Sequence, residues 1–253
     1  MTELPRIFLA ALCSAWLLST PSYAAADPAA PGKPADSAAT AAPGGPSWIA
    51  HQDEGFEITA TEVSVAQFRA CIDAGGCESA TAGERCNIGR AGHDDHPVNC
   101  VSYHGAEQYC AHVGGRVCTE PEWLAACRGT DDRAFPYGPS YEADSCNARS
   151  SALAGQGVSL GTAPVGTIDS CRGGLDGLYD MAGNVAEWVS GCKGDYCKFR
   201  GAGYMSNEPV EMFAGCTGVC SGNDKSLQSG VVGIRCCRAG DGAGSGAPDG
   251  ASR

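Results

Sequence analysis

Basic residues are scarce in this chain: 17 Lys and Arg stand against 29 Asp and Glu over 253 residues, a net charge of −12. A surface of that sign repels phosphate backbones and anionic lipid, which excludes nucleic-acid binding and electrostatic membrane attachment. No apolar run approaches the roughly 20 residues that a membrane-spanning helix needs. Only five histidines are present and no pair of CxxC knuckles accompanies them, so the close cysteines of CESATAGERC and CTGVC do not read as a zinc site. A phosphate-binding glycine loop and an acid pair placed for sugar hydrolysis are missing. With aromatic residues at 7%, large ring systems cannot carry the whole core.

Cysteine and glycine are abundant instead, at 16 and 36 residues, with 14 prolines. Glycine and proline at that level predict a loop-rich chain with short elements. Residues 1–24 carry one base, Arg6, an apolar run at 7–18 and the small-residue stretch Ser22-Tyr23-Ala24, the pattern of a cleaved signal peptide. Its removal takes Cys13 and leaves 15 cysteines, so seven intrachain bridges at most can form and one thiol is left over. That density belongs in an oxidising compartment, which places the protein as secreted or periplasmic. Residues 25–46 are almost entirely Ala, Pro, Gly, Ser and Asp and bury too little apolar area to order themselves; 239–253 has the same character. The expected organisation is a signal peptide at 1–24, a linker at 25–46, a folded domain at 47–238 and a tail at 239–253.

Within that domain, 57–62 reads as a strand, and Ser64 as the N-cap of a helix over 65–73 that places Val65, Phe68 and Ile72 on one face. An extended stretch is expected at 97–102 and a second helix at 105–112. Thr119 caps a third helix over 121–127, with Pro121 at its start and Glu122 completing a capping box. From 129 to 177 periodicity is nearly absent.

The segments HPVNCVSYHGAEQYCAHVGGRVCTEPEW, AACRG, FPYG, GTAPVG, GLYDMAGNVAEW, RGAGYMS and GIRCC follow one another in the order found in the formylglycine-generating enzyme, or sulfatase-modifying factor, family, which the chain resembles over 58–238. The resemblance implies an α+β fold, the formylglycine-generating-enzyme variant of the C-type-lectin-like fold, with small twisted sheets and few short helices. Active members oxidise a sulfatase cysteine to formylglycine with copper held by two cysteines. At the matching positions this chain has Ser206 and Glu211, hard oxygen donors unsuited to a soft monovalent metal, so copper binding is not expected. Cys216 and Cys220 lie nearby as a conceivable substitute pair. The resemblance also implies bridges Cys110–Cys236 and Cys127–Cys216, with Cys118–Cys237 as a third clasp between the same regions. Two local bridges are expected among Cys71, Cys77, Cys86 and Cys100, and one between Cys146 and Cys171.

The family's buried calcium maps onto the side chains of Asp180 and Glu187 and the carbonyls of Gly183 and Val185. A second calcium position maps onto Asn147 and the Ala148 carbonyl, but its acid falls near Gly157, where none stands. His93, Asp94, Asp95 and His96 form a dense polar run read as a solvated loop. His51, His104 and His112 are read as surface residues, and Trp123 and Trp188 as packing residues. Taken together, the sequence describes an exported domain of this family that lacks the oxidase and acts as a binding or scaffold module for a protein, peptide or glycan. The alternative is a formylglycine-generating oxidase.

Overall fold

The computed structural model describes residues 44–148, 161–206, 210–218 and 221–240. The expected signal peptide and nearly all of the expected linker and tail lie outside these residues. Two four-stranded sheets, four short helices and long loops make up the described part.

Local chemistry accounts for the helices. α1 (Val65–Asp73) begins at Ser64, whose hydroxyl accepts from Gln67 N while the Gln67 side chain accepts from Ser64 N, a reciprocal capping box. Val65, Phe68 and Cys71 are its buried face, and Ile72 is only partly covered. α2 (Tyr103–His112) starts two residues before the expected point, because Ser102 accepts from Gly105 N and serves as its cap. α3 (Glu120–Arg128) has the Thr119 and Glu122 capping box and buries Trp123, Ala126 and Cys127. The expected extended stretch at 97–102 forms no strand. Pro97 makes one bridge to Ser64, and Cys100 turns the chain with φ +57°.

In the first sheet, β1 (Trp48–His51), β2 (Phe56–Thr59) and β8 (Cys236–Ala239) pair antiparallel, and β3 (Arg116–Val117) closes the far edge of β8. The strand expected at 57–62 ends at Thr59, and Ala239, expected in the tail, pairs with Phe56. The second sheet has the order β6-β5-β4-β7. In it β4 (Ala186–Lys193) pairs antiparallel with β5 (Tyr196–Arg200) and parallel with β7 (Val232–Gly233), while β6 (Ser221–Asp224) forms the edge on β5. A bridge from Thr119 to Ser190 links the sheets. The main core packs α1 and α2 on Trp188 and Ile234; a second gathers α3, Ile58 and Met181. His51 is buried against Phe56 rather than at the surface, because β1 directs it inward across the β1–β2 turn.

Every described cysteine is bridged: Cys71–Cys77, Cys86–Cys100, Cys110–Cys236, Cys118–Cys237, Cys127–Cys216, Cys146–Cys171 and Cys192–Cys197. Cys220 lies outside the described residues. Between α3 and β4 the described chain is loop with one 3-10 turn, Asp169–Cys171, and it is held where Gly174 passes the end of α3. There φ is +78° and a Cβ would stand 2.1 Å from Ala126 O, so only glycine fits.

Cys110–Cys236 and Cys118–Cys237 close loops of 126 and 119 residues, each good for about 4–5 kcal/mol alone in the chain-entropy model. They join the same two regions, however, so once one exists the second closes only a small ring, for about 3 kcal/mol. Cys→Ala replacement of either pair alone should therefore leave a cooperative fold. Because Cys127–Cys216 still shortens the remaining loop, replacing both pairs should cost roughly 1 kcal/mol more than the sum of the single losses, read from denaturant melts. Strict additivity would show that the two bridges constrain the unfolded chain independently.

Candidate functional site

Two features are concentrated around β4. The first is a buried ionic cluster. Glu187 in β4 has both oxygens committed: Oε1 accepts from Arg235 Nε at 2.8 Å and Oε2 from Trp123 Nε1 at 2.6 Å. Arg235, fully buried between β7 and β8, also donates to the carbonyls of Thr59 and Tyr179, each at 2.7 Å. Glu62 sits alongside, accepting from Val185 N at 2.8 Å and Asn184 Nδ2 at 2.6 Å. Asp180 accepts from Gly166 N at 2.7 Å. Burial raises the pKa of all three carboxyls. Glu62 goes well above the ordinary range, helped by the charges of Asp180 and Glu187. Glu187 is raised against the opposing pull of Arg235. Asp180 is pushed up to about 6.

This geometry bears directly on the calcium expectation. Asp180, Gly183 and Val185 belong to the turn leading into β4 and Glu187 to β4 itself, with Gly183 at φ +145° packed against the Asn147 backbone. Yet the guanidinium of Arg235 already supplies the positive charge beside Glu187, and neither Glu187 oxygen is free of a donor. As placed, these residues do not fit a calcium ion held by Asp180 and Glu187. Among the described residues no group of three or more His, Cys, Asp or Glu side chains could hold a metal. At the second calcium position Asn147 Oδ1 is buried without a partner, a single oxygen where calcium takes six to eight. The position near Gly157 lies outside the described residues.

The second feature is a cleft of about 170 Å³ on the second sheet. Its floor is Ala186 of β4, Phe199 of β5, Ser221 of β6 and Val231 ahead of β7; its walls are Gly201, Gly203, Met205, Ser206 and Phe213. Segment 201–206 is tied down where Tyr204 N donates to Asn184 O at 2.8 Å. Phe213 comes from α4 (Glu211–Ala214), anchored by buried Val210 and Ala214 and by the Cys127–Cys216 bridge. Arg200 adds a second tether by donating to Gly218 O at 2.7 Å while pairing with Glu120 of α3. Burial would raise Glu120, but its bonds to Lys198 and Arg200 win and hold it below the ordinary value. Met205 in the wall and Met212 on α4 stand half exposed.

Ser206 therefore lines the cleft, and its hydroxyl accepts from Gly203 N at 3.0 Å. Glu211 opens α4 with an exposed side chain and does not line the cleft. Cys216 is consumed by Cys127, so a Cys216–Cys220 thiolate pair does not exist in this structure. The run at 93–96 is a loop in which Arg69 pairs with Asp94, and the His93 and His96 rings, tilted to one another, are 4.3 Å apart. His104 and His112 are exposed, and Trp123 and Trp188 are fully buried. Sequence reasoning missed Glu62 and Arg235. Both are charged residues in apolar surroundings, and the only signal was a charge inside motifs otherwise destined for the core.

The sulfatase-modifying factor enzyme 1-like domain family matches residues 36–240. Formylglycine-generating enzyme of Mus musculus is 36% identical over 104 residues, 38% of this chain and 27% of that protein. Inactive C-alpha-formylglycine-generating enzyme 2 of Bos taurus is 34% identical over 97 residues, 37% of this chain and 32% of that protein. The chain spans 14–35% of the length of the curated relatives it matches. Among solved structures, PvdO from Pseudomonas aeruginosa superposes with a TM-score of 0.57 at 21% identity, covering 73% of this chain and 80% of that one. The α+β fold is thus the formylglycine-generating-enzyme variant of the C-type-lectin-like fold.

Three outcomes follow from the cluster. Asp180 titrates near 6 when folded and near 3.8 when unfolded, so between those values the native chain holds a proton that the unfolded chain has released. Its contribution to stability is therefore complete below about pH 4 and lost as pH rises to about 6, on the order of 3 kcal/mol. Asp180→Asn, tolerated at φ +60°, should match the parent melt at pH 4 and exceed it at pH 7. Parallel pH profiles for the two chains would refute this. Glu187→Gln should cost about 3–5 kcal/mol by leaving Arg235 without its counter-charge. Chelator should leave the parent melt unchanged, whereas a lower melting temperature would restore calcium.

Proposed function

Because the chain belongs to the sulfatase-modifying factor enzyme 1-like family, we propose that it is an exported, disulfide-stapled binding or scaffold module of that fold, without thiol-oxidase activity. The observation that carries this reading is the state of the residues at the family's copper positions. One is a serine whose hydroxyl is engaged in a backbone turn; the other is an exposed carboxylate on α4. Monovalent copper is soft and takes thiolate or thioether ligands, so this oxygen pair cannot hold it. The nearest described cysteine is locked to Cys127 and has no thiolate to give.

Several facts support the rest of the reading. Seven disulfides in one chain accord with an oxidising compartment. Among the described residues no helix is long and apolar enough to cross a membrane. A relative whose name declares it inactive aligns with 34% identity, which accords with the domain persisting without the chemistry. The cleft, lined in large part by apolar side chains with half-exposed Met205 in its wall, suits a binding role, because thioethers repack readily around varied partners.

The oxidase alternative is tested by copper titration and a sulfatase-derived peptide. The purified protein should bind monovalent copper no better than a fully bridged control protein and should form no aldehyde on the peptide cysteine. Stoichiometric tight binding with conversion of the peptide would overturn the proposal. The double variant Ser206→Cys with Glu211→Cys should raise copper affinity at least 100-fold if these two positions face one another as in the active enzymes.

A further inference from the structure

Most described arginines face a carboxylate. Three do not, Arg85, Arg90 and Arg172: all are exposed, no described carboxylate lies within ion-pairing distance of any, and the first two stand five residues apart on one loop. In a chain of net charge −12, two neighbouring cations left without an acid are unusual. They are also rigidly presented. The Cys86–Cys100 bridge pins the loop beside Arg85. Asn99 Nδ2 ties Arg85 O at 2.9 Å and Gly230 O at 2.7 Å, while Asn99 Oδ1 accepts from Asn87 N at 2.7 Å. Arg90 N closes a turn onto Asn87 O at 3.1 Å.

This loop borders the cleft. A Cβ on Gly230 would stand 2.8 Å from Arg85 Cβ, and the next residue, Val231, is part of the cleft floor. Gly203, packed on Val231, and Met205 lie in its wall. Between them in the chain is buried Tyr204, whose hydroxyl is raised by burial but drawn down by the charges of both Arg85 and Arg90. On the far side Ser221 of β6, the edge strand, completes the floor.

We propose that Arg85 and Arg90 form an anion-binding subsite on the rim of the cleft, seating a carboxylate of an acidic peptide segment whose neighbouring apolar side chain enters the cleft. The proposal names the ligand chemistry of the binding-module reading and rests on it for the class of partner. Each guanidinium offers a planar fork of donors that matches a carboxylate in bidentate fashion. Phe199, Met205, Phe213 and Val231 make the adjoining cavity suited to an aliphatic or aromatic side chain. An edge strand beside it favours an extended polypeptide over a compact ligand.

The probe is acetyl-Leu-Glu-Leu-Glu-Leu-amide, titrated by calorimetry against the folded protein beside its Gln counterpart and sodium sulfate. The Glu peptide should bind at least tenfold more tightly than the Gln peptide, and added salt should narrow the gap. Arg85→Gln with Arg90→Gln should abolish the preference without moving the melting temperature, because neither guanidinium holds the fold. Lys193→Gln, at the far end of β4, should leave the preference intact. Equal affinity for the two peptides would overturn the anion subsite while leaving the binding role standing. Sulfate binding that depends on the two arginines, without peptide binding, would replace the peptide by a free oxyanion. Binding of none of the three probes would overturn the proposal outright.

Discussion

Glu187 and Arg235 meet where nearly every layer of the structure converges. Glu187 belongs to β4 and takes the indole proton of Trp123 from α3; Arg235 lies between β7 and β8 and reaches β2 and the Tyr179 carbonyl. One ion pair therefore sets the position of the second sheet against the first and of α3 against both. Buried pairs of this kind add little net stability over a well-packed apolar core, because desolvation offsets most of the attraction. Their value lies in direction. Each donor in this cluster has one acceptor that satisfies it, so sheets offset by a residue would leave a buried charge unpaired.

Two consequences for the site follow from that junction. With the sheets held by the ionic cluster and α3 stapled through Cys127–Cys216, the segment from 201 to 218 needs no regular structure to stay in place. It can form the cleft wall with glycines, a short helix and half-exposed Met205. The same staples use up the thiols of the described cysteines. Chemistry at Cys216 would require breaking a bridge on which the cleft wall depends. Surface charge is then free to act in recognition, the role proposed for Arg85 and Arg90.

What the sequence disclosed depends on how local the cause was. Ser64 with Gln67 and Thr119 with Glu122 are read within four residues, and both helices begin where those caps place them. Ser102 carried the same signal for α2, but Gly105 drew attention away from it. β3 and β7, at two residues each, are too short for any alternation to register, and the first four residues of β4 are all buried, which hides its period. Cys192–Cys197 spans a turn containing Gly194 and Asp195, a local signal left unused. The partnership of Glu62, Asp180 and Glu187 with Arg235 joins residues up to about 170 positions apart, and nothing short of the fold reveals it. The resemblance supplied Asp180 and Glu187 as a pair but assigned them a metal; in the fold the cation they face is a side chain.

The central claim is that the cysteines here are structural and that the copper positions have lost their chemistry. Mass-spectrometric mapping of the native protein, alkylated before digestion and never reduced, tests it most directly. The account predicts Cys127–Cys216 as a complete bridge in every molecule, with no alkylated Cys216. Recovery of Cys216 and Cys220 together as free, alkylated thiols would contradict it.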